Sequence, residues 1–535
     1  MKSIITKDFG VAQAAVFENV VAIPLANVYV MLGKALPWNT IEDIETPNDT
    51  TQYKLDCLNQ GIVLKKINSS DIQVVAPRVD WATGTAYYSY HQTANLFLKS
   101  TETQISGANV NVSLSLANTI VANGANFSTA TPLVSAGSLI RIGTEYKEVV
   151  RVNTSGDYLM VNTGFASAYT DNAIFKISTS QSKQYINPFY VRNNIDQVFK
   201  CMSNGTSGAL STSMPQISLD GQLPENPYIE TADGYKWKYL YTIPTGLKNK
   251  FFTDKYMPVL RENIVYDNAV GGRIDVINIL NGGTTYYSGS SISNYAVVTV
   301  TGDGTGASVT VDVTAGVITA VHIISGGSGY SYATITITDP LKISGGVSAV
   351  LEAVISPQYG HGYDVAREIG ASDLMISVDF AGDVSGYYPI MSDGTDDYRR
   401  VCLIKDPKTV SGRYATNTLY SMFTTMYLSN PAADYGHDQN VFVGASYETA
   451  TMTAKVIHFA TGDNIIYVNS IQGDIANAAT KTLYQQNLSS AVAQIYSVTL
   501  PTINILTGEI LYIENRAPIV RNLNQTETVK IVLEF

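Results

Sequence analysis

A histidine held between two glycines is the first place where this chain could support chemistry. It lies in Tyr359-Gly-His361-Gly-Tyr-Asp364-Val-Ala-Arg367-Glu368-Ile-Gly370. Flanking glycines let an imidazole approach a ligand closely, and Asp364 stands where it would orient the ring for general acid–base work. The rest of such a site is missing from the sequence. No Ser or Cys nucleophile elbow is near, and no second His falls at metal-ligand spacing. A structural turn whose His bonds backbone is the simpler expectation.

Other chemistry-bearing stretches have similarly plain readings. His437-Asp438 follows Pro431, Asp434 and Gly436, and a cation there would need clustered carboxylates that the loop lacks. Gly302-Asp-Gly304-Thr-Gly306 has the glycines of a phosphate-cradling loop. It sits between alternating strands, opens no helix and is followed by no Lys, so a hairpin turn is expected. Asp393, Asp396 and Asp397 cluster near Tyr387, Tyr388 and Tyr398, at a spacing that suits a polar turn better than a glycosidase pair. Cys57, Cys201 and Cys402 form no C-x-x-C and no metal spacing, so buried free thiols are expected. No catalytic, cofactor-binding or metal-ligating residue is assigned, and no cofactor is expected.

The elements that position these residues read as β. Charged residues make up 15% of the 535, against a norm of about 25%. The surface must then be covered by Ser, Thr, Asn, Gly and the 35 Tyr. Disorder is excluded, because a disordered chain is charge-rich and aromatic-poor. A helical bundle is disfavoured for want of Ala, Glu, Lys and Leu. The expected class is mainly β and multi-domain: antiparallel sandwich-like or barrel-like domains with few short helices. A net charge of −11 argues against nucleic acid as the main partner, since that task needs a Lys/Arg field. No apolar run of 18 residues suggests a membrane span. Asp8, Gly10, Gln13 and Glu18 interrupt any secretion-signal core, so synthesis in a cytoplasm is expected.

Along the chain, residues 8–22 pattern as a helix capped by Asp8, and Asn27–Leu32 and Ile72–Ala76 as strands, with loop over 39–51. Composition shifts near residue 100. Residues 101–178 read as a small inserted β domain of hairpins, with a turn at Gly143 between two alternating halves. Residues 265–357 read as a second, Gly-rich insertion. Within it, Ile274–Tyr286 aligns with Ile318–Tyr330, each a strand, a Gly-Gly turn and an aromatic, and Gly306–Val313 aligns with Ser348–Ile355. Two copies are too few for a solenoid, so two related β layers are expected. Residues 1–100 with 179–264 form a split N-terminal core, and 358–535 a C-terminal β domain. That domain closes on Thr528–Phe535, with Val529, Ile531, Leu533 and Phe535 on one face.

Four segments together resemble a baseplate wedge subunit of contractile-tailed, T-even-type bacteriophages, the dimeric β-rich wedge protein. They are Val30-Met-Leu-Gly33-Lys-Ala-Leu-Pro37-Trp38; Pro77-Arg78-Val-Asp80-Trp81; Ala232-Asp233-Gly234-Tyr235-Lys-Trp237-Lys-Tyr239-Leu-Tyr-Thr-Ile243-Pro244; and Gly508-Glu509-Ile-Leu-Tyr512-Ile-Glu514-Asn515-Arg516-Ala-Pro518-Ile519, followed by Asn524 to Glu527 and the closing strand. Ala232 replaces that family's leading Gly. Arg399-Arg-Val-Cys-Leu-Ile-Lys-Asp406-Pro407 and the Gly-His-Gly patch also look like relatives of the family. The resemblance covers roughly 1–100, 179–264 and 358–535, and neither insertion.

It implies a non-enzymatic structural protein of the virion tail baseplate, made in the host bacterial cytoplasm. The implied partners are a second copy and other wedge proteins. Neither nucleic acid nor membrane is implied, and the insertions are left to contact fibres or neighbouring wedges. Trp38, Trp81 and Trp237 would be buried anchors between strands, and Arg78, Tyr235 and His361 are further candidate structural or interface residues. Glu514, Asn515 and Arg516 would pin the last strand or pair with a neighbour. A second function class is a host-surface carbohydrate-binding or depolymerising tail protein, suggested by the Tyr content and the Gly-rich repeat.

Overall fold

The computed structural model describes residues 7–535 apart from 23–26, 36, 39–43, 88, 91–99, 117–118, 124–125, 128, 130–133, 135–138, 144, 154, 162–164, 166, 180–188, 205–209, 219–227, 288, 296–297, 338–345, 381–397 and 520–524. The carboxylates Asp393, Asp396 and Asp397, with Tyr387 and Tyr388, lie outside the described residues, as does Asn524. The architecture is mainly β, with antiparallel sheets and few short helices.

Two sheets carry the centre. Val28–Gly33 is buried at every position, as a near-continuous apolar run should be in a central strand. It pairs on one side with Gly61–Lys66 and on the other with Tyr398–Lys405. Leu419–Ser421 and Glu509–Ile519 complete a five-stranded sheet. A four-stranded sheet holds Tyr256–Pro258, Ile72–Pro77, Asp373–Phe380 and Glu527–Glu534 in that order. Val30, Leu32, Leu403, Leu374, Ile376 and Ile531 from the two sheets share one core. The stretches at the two ends of the chain are therefore neighbours strand by strand, and the pairing crosses the sequence blocks.

The helix Lys7–Ala22 begins before Asp8. Residues 44–50 lack regular structure, but Thr51–Asn59 is a helix. Thr50 caps it, its hydroxyl accepting from the Tyr53 N–H at 3.3 Å. The loop expected over 39–51 thus ends at a cap that its Thr pair disguised.

Residues 100–179 form a closed six-stranded barrel, in which Ser100–Val112 pairs with Tyr169–Thr179. The Gly143 turn expected from the pattern joins Leu139–Ile142 to Glu145–Val152, with Gly143 at φ +55°. A second six-stranded barrel spans 424–499. No composition shift marks it, and its core of Met426, Val441, Val456, Ile466 and Ile495 is its own.

The repeat block uses its two copies reciprocally. Ile274–Asn281 of the first pairs with Val350–Ile355 of the second, and Val317–Ser328 of the second with Thr305–Thr314 of the first. Equivalent glycines Gly283 and Gly327 have φ of +67° and +63°. Equivalent Tyr286 and Tyr330 are buried, and their N–H groups donate to Gly316 and Gly272, again equivalent positions, at 3.0 Å each. The repeat is therefore an internal two-fold relation with exchanged strands.

Candidate functional site

His361 lies at the centre of a buried charge network. Its neighbours come from distant parts of the chain. Gln197–Ser203 is buried throughout and brings in Lys200. Lys236–Thr242 brings Lys238, and Ile274–Asn281 brings Asp275. The short helix Val365–Ile369 brings Glu368. Lys200 Nζ contacts both Glu368 Oε1 and His361 Nδ1. His361 Nδ1 is 2.6 Å from Glu368 Oε1, and Gly362 N–H donates to Glu368 Oε2 at 2.8 Å. His361 Nε2 is 3.2 Å from Asp275 Oδ2, Lys238 Nζ is 3.3 Å from the same oxygen, and Arg273 Nε is 3.2 Å from Oδ1. The His361 and Arg273 contacts are ion-pair distances without hydrogen-bond alignment. Tyr90 closes the group, with its ring edge-on to His361 and 3.7 Å from Lys200 Nζ.

The electrostatics follow from burial. Loss of water pushes the Lys200 ammonium down to about 8, with Glu368 opposing the drop. Burial alone would raise Glu368, but Lys200, His361 and the Gly362 N–H outweigh it and hold the carboxyl at about 2. Asp275 likewise overcomes its own desolvation through Lys238, His361 and Arg273, and stays well below the usual carboxylate range. Each of these carboxylates faces at least one lysine at ion-pair distance, while Asp275 Oδ1 and His361 Nε2 have no hydrogen-bond partner among the described residues.

Two readings of this patch change. His361 pairs with side-chain carboxylates rather than backbone. Asp364 does not orient it. Asp364 caps the helix that follows, Oδ1 accepting from Arg367 N–H at 3.0 Å. Sequence reasoning missed Lys200, Lys238 and Asp275. Lys200 did leave a signal, since it interrupts the apolar run Val198, Phe199, Cys201, Met202, and a lysine there needs a buried partner.

The aromatic segment forms a second centre. Asp233 accepts from the N–H groups of Thr212 (2.7 Å) and Ser213 (2.9 Å) and from the Ser211 hydroxyl (3.0 Å). Burial opposes its charge, but these donors and Thr231 hold it at about 2. Gly234, at φ +80°, turns the chain as few other residues would. Tyr235 then stacks on Trp237 with centroids 5.6 Å apart, and Tyr87 meets both edge-on. Trp237 is fully buried, with no hydrogen-bond partner for Nε1 among the described residues. Trp81 and Trp38 are only half-buried, against the expectation of buried anchors. Trp81 Nε1 donates to Ser211 Oγ at 3.1 Å. Arg78 bonds Asp80 and lies 4.5 Å over the Phe252 ring.

At the last strands, Asn515 Nδ2 donates to Tyr53 Oη and to the Glu45 carbonyl, both at 2.7 Å, and its Oδ1 accepts from Arg400 Nε at 2.7 Å. Glu514 accepts from Tyr512 Oη at 3.1 Å. Arg516 Nε is buried with no hydrogen-bond partner among the described residues.

The remaining chemistry-bearing stretches are occupied by structure. Asp438 is taken by Arg399 Nη2 at 2.5 Å and Lys34 Nζ at 3.7 Å, so it holds protein cations. Asp303 accepts from Ser331 N–H at 2.8 Å, which fills the Gly302–Gly306 loop with a carboxylate. The three cysteines are buried free thiols. Among the described residues no group of three His, Cys, Asp or Glu side chains is placed to hold a metal, and no helix is long and apolar enough to cross a membrane. No protein-family model matches this chain, and no curated protein matches it.

Proposed function

We propose that the chain is a structural subunit of a contractile phage tail baseplate, acting as a homodimer that binds other wedge proteins. The observation that supports this most is where the resembling segments fall. Val30–Gly33, Pro77, the Asp233–Trp237 turn and Glu509–Ile519 all belong to the central sheets or the aromatic core. Residues 100–179, which the resemblance does not cover, close as a barrel of their own. The buried charges around His361 face one another within the chain, which suits a structural part. Low charge and exposed Tyr fit a surface that meets other subunits.

Antibody labelling of purified virions tests the proposal. Label at the baseplate is expected. Tails that lack the chain, or carry it only at fibre tips, would overturn the reading. Light scattering of the isolated protein is expected to report a dimer at micromolar concentration, and a monomer would remove the dimer from the proposal.

A further inference from the structure

A ladder of aromatic rings stands at the surface beside the His361 turn. Tyr266 and Tyr363 stack with centroids 4.9 Å apart, and Tyr363 and Tyr359 with centroids 5.0 Å apart. The Arg261 guanidinium lies 3.9 Å from the Tyr266 centroid. Tyr359 and Tyr363 remain 55% and 41% exposed, so stacked ring surface is presented to solvent. Beside the ladder runs a cleft of about 360 Å³ lined by Tyr266, Tyr363, Arg261, Asp364, Gln73 and Glu18 over an apolar floor that includes Val74, Val259 and Leu260, with Tyr359 outside the lining and stacked on Tyr363. Rigid rings thus meet flat polar groups at one concave place.

The chemistry of that lining selects among ligands. Two carboxylates against one guanidinium disfavour a phosphate or sulfate. Among the described residues no third His, Cys, Asp or Glu joins these two carboxylates, which disfavours a metal. A lining that mixes aliphatic with charged and amide side chains disfavours a purely apolar ligand. What remains is a neutral molecule with an apolar face for tyrosine and several hydroxyls for carboxylate, amide and guanidinium. Burial raises the Glu18 carboxyl while the Val74 N–H opposes it.

We propose that this cleft and its tyrosine ladder form a binding site for a neutral saccharide. The site is independent of the assembly role proposed above, and either can fail alone. Saturation-transfer NMR and calorimetry on the full chain test it, with cellotriose, chitotriose and maltotriose as probes. A sulfated trisaccharide and a decaproline peptide serve as comparison arms. At least one neutral trisaccharide is expected to bind with Kd of roughly 0.1–1 mM. Tyr359→Ala and Tyr363→Ala should each weaken it about five- to tenfold, while Tyr359→Phe keeps the ring and the affinity. Unchanged thermal melting of the Tyr359 variants separates lost contact from lost fold. The proposal is overturned by no neutral binding at about 10 mM, by binding that survives both alanine variants, or by tighter binding of the sulfated sugar. It is also overturned if decaproline alone binds and is lost in the same variants.

Discussion

His361 Nε2 stands 3.2 Å from Asp275 Oδ2, and the contact ties the Gly-His-Gly turn to the first strand of the repeat block. Asp275 also meets Lys238 on the neighbouring sheet. One carboxylate therefore joins three stretches of chain. It is 1% exposed, while the Lys238 and Arg273 side chains keep 19% and 36% of their surface in water, so removing it takes the nearby carboxylate from buried His361 and leaves the two cations hydrated.

Asp275→Ala should consequently destabilise the protein by about 1–3 kcal/mol, the range for losing charge-assisted contacts whose cations stay within reach of water. Hydrogen exchange should show the loss first in Ile274–Asn281 and Val350–Ile355, which pair with each other. Denaturant melting with a change below about 1 kcal/mol would show that the network is not what holds the repeat block.

The same network sets a pH dependence. Glu368 is held at about 2 against an ordinary 4.5. A carboxyl depressed by folding stabilises above its unfolded value and loses that contribution as pH falls toward the folded one. Stability should thus decline between about pH 4.5 and 2, with Asp275 and Asp233 adding in the same direction. Lys200 has the same pH sign at the alkaline end, although its shift destabilises. Its folded value of about 8 lies below the ordinary 10.5, so its penalty is complete below pH 8 and is relieved as pH rises toward 10.5. Glu368→Gln should flatten the acid limb of a melting-temperature profile, and an unchanged acid limb would contradict the assignment.

Residues 100–179 should fold alone. Their first and last strands start and end side by side, with Ser100 opposite Thr179, and Ile105, Ile120, Ile140, Leu159 and Ile174 form a separate core. A domain of that size has a typical stability of roughly 4–12 kcal/mol. The fragment should give a cooperative melt, and the remaining chain, joined by a short Gly/Ser linker, should keep its own. An aggregated fragment would show that the barrel borrows stability from the rest.

These properties were unevenly legible in the sequence. Period-two alternation, the Gly143 turn and the paired glycines of the repeat are local signals, so they were readable. The barrel over 424–499 was not, because its strands carry the same Tyr- and Asn-rich composition as their flanks. Asp364 looked like the partner of His361 because it is three residues away, yet an Asp just before a helix is a cap. One true partner, Glu368, lies seven residues on, but Asp275 and Lys200 lie 86 and 161 positions distant. Only the tertiary fold brings them together, and a Lys inside an apolar run was the one trace it left. Resemblance marked Asn515, but its partners Tyr53 and Arg400 come from a helix and a strand that no local pattern joins to it.

Asn515 is the point where that last assembly can be tested. Its amide bridges Tyr53, the Glu45 carbonyl and Arg400. Arg400 in turn reaches Gln60 Oε1 at 2.5 Å and Tyr53 Oη at 3.2 Å. Alanine at 515 removes three bonds, one of them to a guanidinium, and leaves the buried Arg400 short of an acceptor. Asn515→Ala should therefore lower stability by about 2–3 kcal/mol. Asn515→Asp keeps an acceptor for Arg400 but cannot donate to the Glu45 carbonyl, so it should fall between the two. An Arg400→Ala, Asn515→Ala double-mutant cycle should show a coupling of about 1 kcal/mol or more. Additive losses would mean that the two side chains are held independently, and that the closing sheet is pinned by its backbone ladder and apolar core instead.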